Sequence, residues 1–463
     1  MVLLSLLLPS GFPASAKQQR VDFTQLEEVV LEELKETNTP GAAVAVVSGD
    51  RRVFSKGFGV ANIETGAPVT PDTLFRIGSV TKMFTAVVLA TLADEGRIKL
   101  DEPIGKYIKG LNRKLSMVTA HQLMSHTAGM TDESPPDYGS HDDSALAAYV
   151  RSLNDDYFFT EPKEIFSYSN PGFDVAGFLI EEVGGRPYAD QMSERLFKPL
   201  GMNSTTFRPT VAMTYPLSQG HSLSGKAKPT VIRPFGDNVA AWPDGFMFSS
   251  VNELARFAIA FMDSGRIDRK QVLTPEVITE LSTPYADLYS RFGFENGRYG
   301  YGVFLHDHRG VQVVWHAGLL PGFGALLQMV PLQHFAVIVL ANKGGALLNK
   351  TAEKAMELLL PLGAKAETQS KQALAVSEAE IGDVIGKYAN KPESAEILVK
   401  EGKLVIKRDD GVFPITKIGD CRFSIIKPGE SEPEEFVLVR VGNGKAEYLH
   451  IGRRALKKVQ VEK

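Results

Sequence analysis

One cysteine, Cys421, in a chain of 463 residues excludes an internal disulfide and any thiolate cluster around a metal. Basic excess is missing too. With 51 Lys and Arg against 55 Asp and Glu, the net charge of -4 leaves no electrostatic footprint for nucleic acid and no strongly acidic tail. No stretch approaches the ~18 consecutive apolar residues of a membrane span. The nine histidines are scattered, and the closest pair, His306 and His308 around Asp307, falls in a stretch that reads as a turn. No metal and no cofactor are therefore expected. What is present is a globular composition, 43% hydrophobic and 23% charged, with room for several domains at roughly 100–200 residues each.

Residues 1–19 contain an apolar run, Val2 to Leu8, and the triplet Ala14-Ser15-Ala16, which resemble the core and cleavage site of a secretory leader that lacks its basic start. Export to the periplasm or medium is expected, with an apolar tail on a cytoplasmic protein as the alternative. Thr24-Gln25-Leu26-Glu27 reads as a capping box opening an amphipathic helix through Leu34. PGAAVAVVSGDRRVFSKGFG reads as a hairpin turning at Gly49-Asp50. RIGSVTKMFTAVVLATLADEG is an apolar helix, and residues 105–290 are richer in helix and loop. Strands return at Tyr299–Phe304, Val311–Trp315, Ala325–Val330 and Phe335–Leu340, followed by a helix from Asn349 to Leu360. A sheet assembled from both ends of the region, with a helical insertion between, accounts for this order. Residues 363–380 have linker composition. Beyond them, short apolar runs separated by Glu401-Gly402, Asp410-Gly411, Pro428-Gly429 and Asn443-Gly444 indicate a small antiparallel barrel or sandwich. The expected domains are thus 20–362 and 381–463.

Three pieces would make a serine acyl-transfer site if they converge: Ser79-Val80-Thr81-Lys82, Tyr168-Ser169-Asn170 and His316-Ala317-Gly318. On a helix, Ser79 and Lys82 share a face, with about 5–6 Å between Cβ atoms, so the amine can reach the hydroxyl. The plainer reading makes Ser79 a helix cap and Lys82 a solvated flank. Copies of each pattern occur elsewhere: Ser424 with Lys427, Tyr388 with Asn390, and His308 and His450 each two residues before glycine. Ser424 and Lys427 lie on an expected strand, where residues three apart face opposite sides. His308 falls in an expected turn. His316 ends an apolar strand and leads into Gly318-Leu319-Leu320-Pro321-Gly322, where small residues would let a ligand approach the backbone.

These motifs, in this order and with TLFRIGSVTKMFTA, TAHQLMSHTAGM, FSYSNPGFDVAGFLIEEVGG and WHAGLLPGFGALLQMVP around them, resemble the serine β-lactamase and penicillin-recognising superfamily over about residues 25–360. The likeness is closest to its class C β-lactamase, D-aminopeptidase and esterase branch. The resemblance implies an α+β fold, an antiparallel sheet flanked by helices, and a C-terminal lipocalin-like barrel. It also implies Ser79 as nucleophile, Lys82 and Tyr168 sharing the proton work, and Asn170 holding the substrate amide. Ser79 and Leu319 would donate the two oxyanion N–H groups beside Gly318, and His316 would stand at the substrate carboxylate.

The third motif departs from the Lys-Thr-Gly of many β-lactamases. A histidine supplies charge there less reliably than lysine at neutral pH, so an esterase, amidase or peptidase acting on a small ester, amide or peptide is expected ahead of a β-lactamase. A non-catalytic penicillin-binding or scaffold protein is the further alternative. A homo-oligomer is compatible with the sequence, and nucleic acid and a membrane span are not expected as partners. His126 reads as structural, Trp242 and Phe246 as either cleft or packing, Glu164 as a loop residue, and Arg453 to Lys458 as a solvated strand end. The barrel itself is expected to tune access rather than chemistry.

Overall fold

The computed structural model describes residues 21–136, 138–222, 228–289, 295–365, 373–430, 433–441 and 444–459. The leader expected at 1–19 lies outside them.

The strand Gly41–Ser48 sets the architecture. Seven of its eight residues are buried, and because successive side chains point to opposite faces, Ala42, Val44 and Val46 join one core while Ala43, Ala45 and Val47 join another. A strand buried on both faces belongs at the centre of a covered sheet. It pairs antiparallel with Phe335–Ala341 on one side and Arg51–Asn62 on the other. The complete nine-stranded order is Ala286–Asp287, Glu295–Tyr299, Phe304–His308, Val311–Leu320, Phe323–Val330, Phe335–Ala341, Gly41–Ser48, Arg51–Asn62, Ala67–Pro68. Chain from both ends of the region therefore meets in one sheet, and the mainly helical residues between Ala67–Pro68 and Ala286–Asp287 form the insertion.

Helices Thr24–Thr37 and Asn349–Leu359 cover one face through Leu26, Val30, Ala352 and Met356. On the other face lies Thr81–Asp94, buried at every position from Thr81 to Ala90. The capping box at Thr24 does not form. Asp22 accepts the Thr24 N–H at 2.9 Å, Phe23 becomes the residue before the helix, and Glu27 pairs with Lys56 at 2.7 Å.

Past the main sheet, Glu378–Val384 is a helix with a true capping box between Ser377 and Glu380, so the stretch expected as linker is partly helical; its residues 366–372 lie outside the described ones. The remaining strands, Gly386–Asn390 through Arg454–Lys458, make a second nine-stranded antiparallel sheet that curls into a nearly closed barrel around Tyr388, Ile406, Phe436 and Leu449. Gly386–Asn390 and Arg454–Lys458 pair with each other. Their sequences are too polar to show as apolar runs.

Candidate active site

The chain enters the Thr81–Asp94 helix through one tighter turn, Gly78–Val80. Gly78 has φ +53°, and a Cβ there would lie 2.6 Å from the Leu319 nitrogen. A Cβ on Gly318 would lie 1.8 Å from the Ile77 carbonyl oxygen. Glycine at 318 is thus required by two backbones passing in contact, where the sequence suggests space for a ligand. The Val311–Leu320 strand also runs on past His316 instead of ending there. Its Leu319 amide stands beside the turn bearing the Ser79 amide, the arrangement a two-donor oxyanion site requires.

Lys82 is no solvated flank, because it is fully buried. Its Nζ lies 3.3 Å from Ser79 Oγ, 2.6 Å from Asn170 Oδ1 and 2.7 Å from the Asp244 carbonyl oxygen. The Lys82 amine donates in all three contacts, so each of its N–H groups has a partner.

Asn170 opens the helix Asn170–Gly184, which Ser169 caps by accepting the Gly172 N–H at 3.2 Å; Pro171 suits the first turn. The middle residue of Tyr168-Ser169-Asn170 is therefore a structural cap that also donates to the Thr131 carbonyl at 2.7 Å. With Oδ1 occupied by Lys82, Asn170 presents its Nδ2 donor. The Tyr168 ring centroid lies 5.0 Å from Lys82 Nζ. Its hydroxyl is buried and has no hydrogen-bond partner among the described residues.

His316 and His126 form the buried wall behind Tyr168. The Ser169 N–H donates to His126 Nδ1 at 3.1 Å, and His126 Nε2 lies 3.2 Å from the Tyr299 hydroxyl. That hydroxyl lies 3.4 Å from His316 Nε2, and His316 Nδ1 lies 2.7 Å from the Ala317 carbonyl oxygen. One assignment of hydrogens satisfies the chain: His126 donates to Tyr299, Tyr299 donates to His316, and His316 donates to Ala317, both imidazoles being neutral. Burial, then the Lys82 charge, holds both histidines well below the usual imidazole range. Burial and the Lys82 charge both disfavour a proton on His316 Nε2.

Two further buried histidines behave alike. Burial pushes His306 down to about 4 and His450 down to about 3. All four bind a proton when unfolded and not when folded, so their contribution is complete above the unfolded value of about 6.5 and is lost as pH falls toward the folded values. Burial lowers His121 and His221 as well, and it raises Asp174 and Glu181, which act with the opposite sign, two groups against six. Unfolding free energy from urea titration is expected to fall between pH 7.5 and 5.5, each histidine adding up to about 1.4 kcal/mol per pH unit. A flat or rising profile would show that these imidazoles accept protons in the folded state.

Other expectations resolve individually. His306 and His308 lie on the strand Phe304–His308, not in a turn. Trp242 packs, donating from Nε1 to Asp237 at 2.9 Å. Phe246 instead lines a small recess of about 30 Å³ with Tyr138, Ile232, Phe235, Leu320 and Phe323. Glu164 is in a loop, as expected, and accepts from Tyr448 of the barrel.

The basic tail is not a solvated strand end. Its turn, Gly452 to Arg454, enters the cleft: the Tyr168 N–H donates to the Arg453 carbonyl at 2.9 Å, and the Arg453 guanidinium lies 5.0 Å from the Tyr168 ring centroid. Arg454 donates from Nε to Asp132 Oδ2 at 2.8 Å, while Asp132 Oδ1 accepts the Asn170 N–H at 2.6 Å. Ser167 Oγ accepts the Ala455 N–H at 3.2 Å. The barrel thus braces Tyr168 directly and Asn170 through Asp132. Sequence reasoning misses Asp132, Arg453 and Arg454 because no motif marks them and the contacts span some 300 positions of chain.

Comparison with known proteins follows the same outline. The family model described as Beta-lactamase matches residues 26–359. The chain is 27% identical over 336 residues to Protein flp of Staphylococcus aureus strain MW2, covering 71% of this chain and only 65% of that relative's length. It is 30% identical over 321 residues to Penicillin-binding protein 4 of Amycolatopsis lactamdurans, covering 67% of this chain and 83% of the relative. Among solved structures, SurE superposes with a TM-score of 0.77 at 24% identity, over 94% of this chain and 98% of that one. The octameric penicillin-binding protein homologue from Pyrococcus abyssi superposes with a TM-score of 0.67 at 24% identity, over 94% and 100%. A D-amino acid amidase from Ochrobactrum anthropi SV3 superposes with a TM-score of 0.60 at 23% identity, over 72% and 98%. At these identities the structural likeness speaks to the fold alone.

Proposed function

The chain belongs to the beta-lactamase family, and from that membership we propose that it is a serine hydrolase that forms an acyl-enzyme on Ser79 and cleaves small amides, peptides and esters. The observation that carries this reading is the buried Lys82 amine held between Ser79 Oγ and Asn170 Oδ1, with the unpartnered Tyr168 hydroxyl beside it. In the proposed mechanism, Lys82 takes the hydroxyl proton as Ser79 Oγ attacks the carbonyl carbon. Negative charge collects on the carbonyl oxygen between the Ser79 and Leu319 amides. Asn170 Nδ2 donates to the substrate's acyl-side carbonyl. As the carbon–nitrogen bond breaks, the leaving nitrogen takes a proton from Tyr168, which regains one from Lys82; water then gives a proton to this pair as it attacks the acyl carbon, and Ser79 Oγ leaves with that proton.

An amine leaves only when protonated, whereas an activated alcohol or phenol leaves without that help. A buried acid with no other partner therefore favours amide chemistry, with ester cleavage as the easier reaction on the same groups. A β-lactam would acylate Ser79 by the same steps, but its leaving nitrogen stays tethered by the opened ring and obstructs the water. A panel of p-nitrophenyl esters, D- and L-aminoacyl anilides and nitrocefin tests the reading. Esters and at least one anilide series are expected to exceed nitrocefin in kcat/KM by at least about tenfold, some 1.4 kcal/mol in barrier. If nitrocefin is the best substrate, the protein is a β-lactamase. Association into a homo-oligomer belongs to the same proposal, and sedimentation of the purified protein tests it.

A further inference from the structure

The end of the main sheet away from Ser79 carries a concentration of arginine that the catalytic groups do not use. Leu320 pairs with Phe323 at the cleft end of the sheet, whereas Ser48 and Val330 both pair with Phe335 at the other end. There the Gly49 N–H donates to the His334 carbonyl at 2.8 Å, which fixes the turn leading into Asp50, Arg51 and Arg52. The helix Val251–Met262 and the hairpin of Arg266–Ile267 with Lys270–Gln271 stand against this turn. Together the three elements line a concavity of about 690 Å³, inside the size range of small-molecule sites.

Five guanidinium groups face it: Arg51 and Arg52 from the turn, Arg256 from the helix, and Arg266 and Arg269 from the hairpin. Three carboxylates oppose them, Asp50, Asp263 and Asp268, so five against three leave a formal excess of two positive charges. The excess is local, because the whole chain is net acidic. Arg266 pairs with Asp263 at 3.0 Å, and Arg256 pairs with Asp268 while its Nε donates to the Leu200 carbonyl. Arg52 and Arg269 make no hydrogen bond and no ion pair among the described residues. A guanidinium has five N–H donors, so the paired arginines also keep donors to spare. Like charges gathered in a concave surface concentrate anions there. Every cation lining the concavity is arginine, whose planar fork holds two phosphate oxygens in parallel bonds. A carboxylate has two oxygens and would engage only one or two of these forks, whereas phosphate groups offer enough oxygens to bridge several.

We propose that this concavity binds a ligand carrying two or more phosphate groups, which holds the protein by the end of the sheet opposite the cleft. The Gly49 turn and the Leu319 amide stand at opposite ends of the strands, so occupancy leaves Ser79 open to substrate. The site is independent of the serine-hydrolase reading and stands or falls without it.

Calorimetric titration of pyrophosphate into the full chain at low salt is expected to show one saturable site. Arg52→Gln and Arg269→Gln are each expected to weaken it roughly 5- to 30-fold, and the corresponding lysine variants to weaken it less, since they keep the charge without the fork. Asp50→Asn is expected to tighten it about threefold by removing a carboxylate that opposes the anion. Arg186→Gln makes the same change in net charge at an exposed position on another part of the surface, and is expected to shift affinity by less than about twofold. Arg52, Arg269 and Asp50 are all exposed, so the thermal transition of each variant should match the wild type. A second arm reads co-sedimentation with phosphatidylcholine vesicles that contain or lack cardiolipin, whose headgroup presents two phosphates. Pyrophosphate binding without vesicle binding names a free polyphosphate as the source, and vesicle binding lost in Arg52→Gln and Arg269→Gln names a lipid headgroup. No binding in either arm, or losses in Arg52→Gln and Arg269→Gln no larger than in Arg186→Gln, overturn the proposal.

Discussion

Ser79→Ala is expected to lower turnover of every ester and amide by at least about 10⁴-fold, as removal of a nucleophile does in other serine hydrolases. It should also abolish fluorophosphonate labelling, while the thermal transition stays close to that of the wild type. The structure separates the two effects. Ser79 Oγ touches only Lys82 among the described hydrogen bonds, at a long 3.3 Å, and Lys82 keeps Asn170 and Asp244 when the hydroxyl is removed. The stability change should stay within about 1 kcal/mol, the scale of one modest hydrogen bond. Intact-mass spectrometry after labelling, with calorimetry on the same sample, measures both. Labelling that persists in the alanine variant would place the nucleophile elsewhere, and a wild type that never labels would favour a non-catalytic binding or scaffold protein.

Lys82→Ala and Tyr168→Phe come second in expected size, each losing roughly 100- to 10,000-fold in kcat on an anilide. Their combination should lose little more than the worse of the two, because groups that pass one proton act as a unit. The variants should differ in substrate dependence. Lys82 acts before the tetrahedral intermediate, so its loss should be felt by esters and anilides alike. Tyr168 acts on the leaving group, so Tyr168→Phe should spare p-nitrophenyl esters by at least about tenfold relative to anilides. They also differ in folding cost. Lys82→Ala takes from the buried Asn170 oxygen its Lys82 donor, about 1–3 kcal/mol, whereas the Tyr168 hydroxyl satisfies no described group. Multiplicative losses in the double variant would mean two independent roles, and equal losses on esters and anilides in Tyr168→Phe would remove it as the acid for the leaving group.

The hairpin at Gly49-Asp50 and the double burial of Gly41–Ser48 are local or periodic facts, and they are legible from residue order alone. The pairing of Ser79 with Lys82 is equally local, since residues three apart on a helical turn share a face whatever surrounds them. The motifs at Tyr168 and His316 carried the family resemblance, and the structure brings them to the same cleft. Element ends were less legible. The Val311–Leu320 strand runs five residues beyond the expected end at Trp315, because Gly318 and Leu319 pair with Ala325 and Gly324.

Residue identity and local spacing thus determined the helices, the central strands, the meeting of Ser79 with Lys82, and the short turns of the barrel. Only the tertiary structure decided the charge on His316, because ionisation of an imidazole depends on its burial and on Lys82, more than 230 positions away in the chain. It also decided that a barrel turn completes the cleft. Arg453 reaches Tyr168 across 285 positions, and an arginine at the end of a basic strand looks the same in sequence whether it meets solvent or a buried tyrosine. Long-range electrostatics and desolvation are sums over neighbours in space, and the order of residues does not say who those neighbours are.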